Sequence, residues 1–369
     1  MMQNLIKISE PNLGGNLIPK LSSVIKSGKL SHGMYVKEFE KQLAAYLKIP
    51  YVITVSSGTA ALHTALKILN ICPQDEVITT PFTFISTASA ILMVGATPVF
   101  ADIEIETFLI DPQKVAEKIT KKTKAIIAVD LFGQMADYKN LRRIIGNKKI
   151  TLIEDASQSL GAKQNNKQIG AKADITTLSF YSTKPLTSIE GGALLTHRSD
   201  LAQKAISFRD NGRNNKHPDI FDTVGFNYRM TELEAILLLS QLPNFEHKLK
   251  KRQNNANFLT ESLSKISAII TPKTMAMNHH IFSQYTIVIG KKYPLQRNSL
   301  LKKLKKAKIE SKIYYPYPLH LQPVFKNLKH KPADFPNALY ASRNVLSIPV
   351  HPLLTKPDLL RIVKTINKY

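Results

Sequence analysis

Short apolar, β-branched runs, each followed by a longer stretch with helical spacing, fill the first two thirds of the chain and restrict it to one class of fold. The runs are YVITV (51–55), DEVITT (75–80), TPVFADI (97–103), KAIIAVDLF (124–132), ITLIEDA (150–156) and ITTLSFYS (175–182). Amphipathic stretches such as GTAALHTALKILN and DPQKVAEKIT lie between them. Strands that alternate with helices are joined by crossovers, so the pattern predicts an α/β fold whose mostly parallel sheet is covered by helices. In such sheets ligands gather beyond the carboxyl ends of the strands, so the residues that follow each run are the ones to examine.

After MTELEAILLLSQL, a helix expected to end at Pro243, the texture changes to lysine-rich segments (HKLKKRQ, LKKLKKAK) and two further strand-like runs, YTIVIG and VLSIPV. With 369 residues and 43% hydrophobic content the chain exceeds one compact core. The expected division is a large domain over 1–245 and a smaller C-terminal α+β domain over 246–369. The lysine runs read as solvated helix faces. A net charge of +24 favours anionic partners such as phosphates and nucleotides. Nucleic acid is not expected: there is no helix-turn-helix pair or zinc pattern, and the lysine-rich helices near 248–252 and 302–308 lack interleaved aromatics for base stacking. His279 and His280 are adjacent rather than spaced as ligands, so no metal is expected. Cys72, the only cysteine, excludes an intramolecular disulfide framework. The opening MMQNLIKISEPNLGGN lacks a signal-peptide core, and no apolar run is long enough to span a bilayer. A cytoplasmic location is the expectation.

Three stretches carry chemistry. SSGTAALHTALKIL follows a strand and opens a helix, and the free N–H groups at a helix start hold phosphate, with Ser57, Gly58 and Thr59 in place to do so. A plain N-cap at Ser56 or Ser57 is the alternative use. LIEDASQS ends a buried strand on Glu154 and Asp155, and a buried acid needs a cation or a donor, so one of the two is expected to face a site. The other use of the pair is an N-cap. Lys184 stands 29 positions after Asp155, at the end of the next strand run, and can reach the same edge of the sheet. A lysine that is partly desolvated or near other cations loses its proton readily, as a Schiff-base nucleophile must. Most lysines are surface cations, but a phosphate cradle, a buried acid and a strand-end lysine together are the parts of a pyridoxal phosphate site.

SSGTAAL, DEVITTPFTF, GATPVFADI, KAIIAVDLFGQ, IEDASQSLGA, SFYSTKPLTSIEGGALLT, GFNYRMTELEA and YPYPLHLQP occur in one order. From NLGGN to VLSIPVHPLL, nearly the whole chain resembles the DegT-type family of pyridoxal-phosphate-dependent nucleotide-sugar aminotransferases. The resemblance implies the aspartate aminotransferase fold (fold type I), with a three-layer αβα large domain. It implies that Lys184 holds pyridoxal 5'-phosphate as a Schiff base and shuttles a proton, while Asp155 pairs with the pyridine nitrogen. Gln158 would approach the phenolic oxygen, Phe84 would stack on the ring, and Gly58, Thr59 and Ser179 would bind the phosphate. Asn227 would reach the neighbouring subunit's phosphate, which implies a homodimer with shared sites. Thr231 with Glu234 also fits a capping box. Tyr315 and His320 would contact the sugar, with packing as the alternative use of that loop, and LSHGMYVKEFE would bring the loop around Gly33 near the substrate. Pro185 and Ile189 depart from the family pattern, where asparagine and glycine are common, and affect loop shape rather than the amine.

The reading that follows is a transaminase that passes an amino group from glutamate through pyridoxamine phosphate to a nucleotide-linked keto sugar, for amino-sugar biosynthesis. A sugar dehydratase of the same family is the alternative, but such members carry histidine in place of the lysine, so Lys184 argues against it. A regulatory, non-catalytic member is a third reading, motivated by the charge.

Overall fold

A computed structural model describes residues 4–31 and 33–369. Residues 1–3 of the N-terminal stretch and His32 of the Gly33 loop lie outside the described residues. Seven strands, β1 (Tyr51–Val55), β2 (Glu76–Thr79), β3 (Thr97–Phe100), β4 (Thr123–Val129), β5 (Thr151–Asp155), β6 (Ile175–Ser179) and β7 (Gly192–Thr196), form one sheet in the order β1-β7-β6-β5-β4-β2-β3. Strands β6 through β3 in that order run parallel. Only β7 is antiparallel to its neighbours β1 and β6. The six expected runs are therefore strands: β1 coincides with its run, and each of the others ends one to three residues before its run does, where the chain turns into a loop. The Gly191–Gly192 turn leads into β7 as expected.

Alternate residues of these strands feed two cores, which is why the runs are apolar throughout rather than every second residue. Ile126 and Ala128 pack with Val36, Phe39 and Leu43 of the helix Met34–Leu47 on one face. Ala125 and Ile127 pack with Leu62, Ala65 and Leu66 of the helix Gly58–Ile68 on the other. A fully buried side chain of this size contributes about 1.5–3 kcal/mol. The helix Glu232–Gln241 opens with the expected capping box between Thr231 and Glu234 and ends at the Leu242–Asn244 3-10 turn that contains Pro243.

A second sheet of β8 (Ile269–Ile270), β9 (Tyr285–Ile289) and β10 (Val345–Ile348) is antiparallel, in that order. Its core takes in Ile287, Leu300, Leu304, Ile362 and Ile366. Two segments cross between the units. Ile6, at the start of the chain, bridges to Ile309 and lies in the C-terminal core. The helix Phe245–Leu263 places Phe245 and Leu249 in the first core but Leu259 and Leu263 in the second. Nineteen residues give a rod of about 28 Å, long enough to serve both. No helix is long and apolar enough to cross a membrane among the described residues.

Candidate active site

A cavity of about 540 Å³ opens where β1, β2, β5 and β6 end. Its wall is made by the segments that leave those strands, 57–59, 83–87, 155–158 and 179–184, together with Glu190, which precedes β7. Because β7 runs antiparallel, its first residues reach the same edge at which its neighbours finish. Gln284, Lys312, Tyr314 and Tyr315 close the cavity from the C-terminal unit.

Strand alternation sends the two acids at the end of β5 to opposite sides. Asp155, 4% exposed, lines the cavity and accepts hydrogen bonds from Thr87 Oγ1 at 2.9 Å and from the Ser157 N–H at 3.2 Å. Glu154 turns away and accepts from the Gly170 N–H at 2.5 Å and Thr176 Oγ1 at 2.8 Å. Burial raises the Glu154 carboxyl above its ordinary value, against those two donors.

Lys184 is half-buried in the same cavity, in a turn where its N–H donates to the Tyr181 carbonyl at 2.8 Å. Desolvation lowers its pKa to about 8, although Asp155 pulls it upward. About a tenth of the amine is thus neutral and nucleophilic at pH 7, far more than for a lysine with the ordinary value of 10.5.

Ser57 caps the helix Gly58–Ile68, its side chain accepting from the Ala60 N–H at 3.1 Å. The cap and the phosphate cradle coexist: with Ser57 committed, Gly58 and Thr59 present the start of the helix to the cavity. A Cβ on Gly58 would sit 2.8 Å from Ser179 Cβ, so only glycine allows Ser179 to approach the helix start. The Thr59 hydroxyl shares a 2.7 Å hydrogen bond with Ser86. An anion cradle, a buried acid and a low-pKa amine in one cavity fit pyridoxal phosphate.

Phe84, 57% exposed, offers an open ring in the cavity wall, 6.4 Å between centroids from Tyr315. Gln158 accepts from the Phe132 N–H at 3.0 Å and donates to the Tyr315 hydroxyl at 3.3 Å. Burial raises the Tyr315 pKa, so its hydroxyl keeps its proton. Asn227 lies outside this cavity, exposed, in a bridge to Asp210. His320 is 2% exposed, packs on Phe335 at 4.7 Å between centroids and is not part of the cavity wall. Burial lowers its pKa to about 4, so the ring is neutral. Gly33 is also outside the wall: with Tyr35 and Val36 it donates its N–H to Glu232, which anchors the start of the helix Met34–Leu47. His280 stacks on Phe282 with centroids 4.0 Å apart, and no metal-holding cluster occurs among the described residues.

Sequence reasoning did not single out Thr87, Glu190, Gln284 or Lys312. The small polar run STA after FTFI was a usable signal for Thr87. Gln284 and Lys312 had none, since a separate unit brings them in.

The sequence profile of the DegT/DnrJ/EryC1/StrS aminotransferase family matches residues 11–367. A pleiotropic regulatory protein of Geobacillus stearothermophilus is 38% identical, over 95% of this chain and 93% of its own. A UDP-2-acetamido-2-deoxy-3-oxo-D-glucuronate aminotransferase of Pseudomonas aeruginosa is 35% identical over 90% of each chain. The crystal structure of NtdA from Bacillus subtilis with bound cofactor PMP matches with a TM-score of 0.88 at 30% identity, covering 96% of this chain and 82% of that one.

Proposed function

The chain belongs to the DegT/DnrJ/EryC1/StrS aminotransferase family and is a pyridoxal-phosphate-dependent sugar aminotransferase, and from that premise we propose that it moves an amino group from glutamate to a nucleotide-linked keto sugar. Both half-reactions use one cavity. The observation that carries the reading is Lys184, an amine lowered to about 8 that shares the cavity wall with the buried Asp155.

When bound, pyridoxal phosphate supplies an electrophilic carbonyl and an electron-accepting ring. Every other part belongs to the chain. Asp155, fixed by Thr87 and Ser157, keeps a proton on the ring nitrogen. The N–H groups of Gly58 and Thr59, with the Ser179 hydroxyl, hold the phosphate at the helix start. Phe84 covers one face of the ring, and Gln158, steadied by Phe132 and Tyr315, reaches the phenolic oxygen. Lys184 Nζ takes the proton from the donor's α-carbon and returns one to the acceptor sugar carbon. Tyr315 serves the sugar side from the cavity wall, whereas His320, expected to share that task, supports the same loop from the packed layer behind it.

Asn227 has no place in its own chain's cavity, which suits a residue that completes the phosphate site of a second copy in a homodimer. The domains divide at 1–245 and 246–369, with the N-terminal segment around Ile6 joining the second. The enzyme works in the cytoplasm, where nucleotide sugars are made.

Glutamate added to protein loaded with pyridoxal phosphate should bleach the visible absorption band and release 2-oxoglutarate. A panel of nucleotide-linked keto sugars should then restore the band for the true acceptor. An unchanged band with glutamate and with every other amine donor would rule the reading out. Sedimentation velocity tests the dimer.

A further inference from the structure

The cavity wall contains four charged side chains: Asp155, Lys184, Glu190 and Lys312. Three have evident settings. Asp155 is held by Thr87 and Ser157, Lys184 is the reactive amine, and Glu190 sits in the turn before β7. Lys312 is left without a task. Its side chain is exposed and takes part in no ion pair or side-chain hydrogen bond among the described residues. Its backbone, in contrast, is fixed. The Lys312 N–H donates to the Ser347 carbonyl at 3.0 Å and its carbonyl accepts from the Ser347 N–H at 2.8 Å, which extends the C-terminal sheet beyond β10 by one residue. A free ammonium on a pinned stem therefore faces a cavity whose floor belongs to the other unit.

Glutamate brings two carboxylates into that cavity, and the α-carboxylate stands one bond from the carbon whose proton Lys184 removes. With Asp155 answered by the ring nitrogen and Lys184 committed to proton transfer, Glu190 leaves the wall negative, and a carboxylate entering it is repelled unless a cation answers it. No arginine lines the cavity among the described residues. We infer that Lys312 is the carboxylate anchor of the amino donor, a specificity residue that favours an acidic amine source and is contributed by the C-terminal unit. This inference rests on the glutamate half-reaction proposed above. It also assigns a division of labour: the sheet edge holds the cofactor, and Lys312 selects what donates to it.

The test measures the two half-reactions separately in single-turnover experiments. The full-length protein is used, loaded with pyridoxal phosphate for the glutamate arm and with pyridoxamine phosphate for the sugar arm. Lys312→Gln should weaken the apparent affinity for glutamate by about tenfold to a hundredfold, the range expected on losing one charge-assisted hydrogen bond. Lys312→Arg should recover most of that loss. Glutarate, which cannot react, should lose affinity for the Gln variant in parallel. Glutamine identifies which carboxylate is held: its binding falls with Lys312→Gln if the α-carboxylate is anchored and stays level if the side-chain carboxylate is. An unchanged glutamate affinity would overturn the inference, as would a loss that falls more heavily on the sugar arm, which would make Lys312 a phosphate contact of the nucleotide. Should wild-type protein ignore glutamate yet react with another amine, the donor assignment itself fails, and the wild-type control alone shows it.

Discussion

Glu154 and Asp155 are neighbours of like charge at the end of one strand, yet they occupy two regions with different chemistry. Beneath the sheet, Glu154 meets the Gly170 N–H and the Thr176 hydroxyl and lies near Asp130, which accepts from the Ala136 N–H, the Tyr138 hydroxyl and the Ser159 hydroxyl. Burial together with the charge on Glu154 raises the Asp130 carboxyl well above its usual range. The donors in that cluster are all uncharged, and Glu154 Oε1 is left without a hydrogen-bond partner among the described residues. On the cavity side Asp155 has two donors, an open space and the amine of Lys184. The comparison teaches that a buried acid becomes a chemical group only where a cation and room for a ligand share its side of the sheet.

The largest expected effect separates the cavity side from everything else. Lys184→Ala should reduce transamination by about a thousandfold or more, and borohydride treatment of the loaded variant should fix no cofactor mass, as read by mass spectrometry. In the wild-type protein the rate of cofactor capture should rise with pH through about 8 and level off above it, because the neutral amine is the nucleophile. A midpoint near the ordinary lysine value of 10.5 would remove the desolvation argument. The sign for stability follows from the same shift. Between about pH 8 and 10.5 the folded apo-protein binds fewer protons than the unfolded chain, so the Lys184 contribution to stability rises with pH and is unfavourable below 8. Apo-protein carrying Lys184→Met should therefore melt at a higher temperature than wild type at pH 7.

Asp155→Asn comes next, with kcat lowered by about a hundredfold and melting of the apo-protein little changed. Glu154→Leu sharpens the contrast from the other side of the strand. Leaving the Gly170 N–H and the Thr176 hydroxyl unpaired should cost about 1–3 kcal/mol of stability, measured by urea unfolding, with kcat/KM of the surviving folded protein within about twofold. Equal losses of activity in the two variants would dissolve the distinction. The smallest change concerns the cradle. Gly58→Ala forces a Cβ against Ser179 and should weaken cofactor binding by about tenfold to a hundredfold while kcat of the saturated enzyme holds, as followed by fluorescence titration of apo-protein.

Much of this was legible before any coordinates. The apolar runs gave the strands because each feeds two cores, and Ser57, the Glu154–Asp155 pair and Lys184 were accessible to reasoning because they lie within a few residues of strand ends, whereas Ser179 entered only through the family resemblance. The capping box at Thr231 is local chemistry and reads directly from Thr-x-x-Glu. The choice between Glu154 and Asp155 was different. Both are acids at one strand end, and the register that sends one to each face is fixed by what packs above and below. His320 shows the same limit: its loop reaches the cavity through Tyr315, but its own ring turns into the Phe335 layer.

By itself the sequence determined the class of fold and the set of reactive groups, since periodicity and residue type act over one or two turns of chain. The tertiary structure alone decided which groups share a space. Lys312 is the plainest case: one among 51 lysines and arginines, it gains a role only because the C-terminal sheet, tied to the first unit through the helix Phe245–Leu263, holds its backbone at the mouth of a cavity built by other strands. Contacts between residues this far apart in sequence depend on how two cores dock, and no local pattern encodes that.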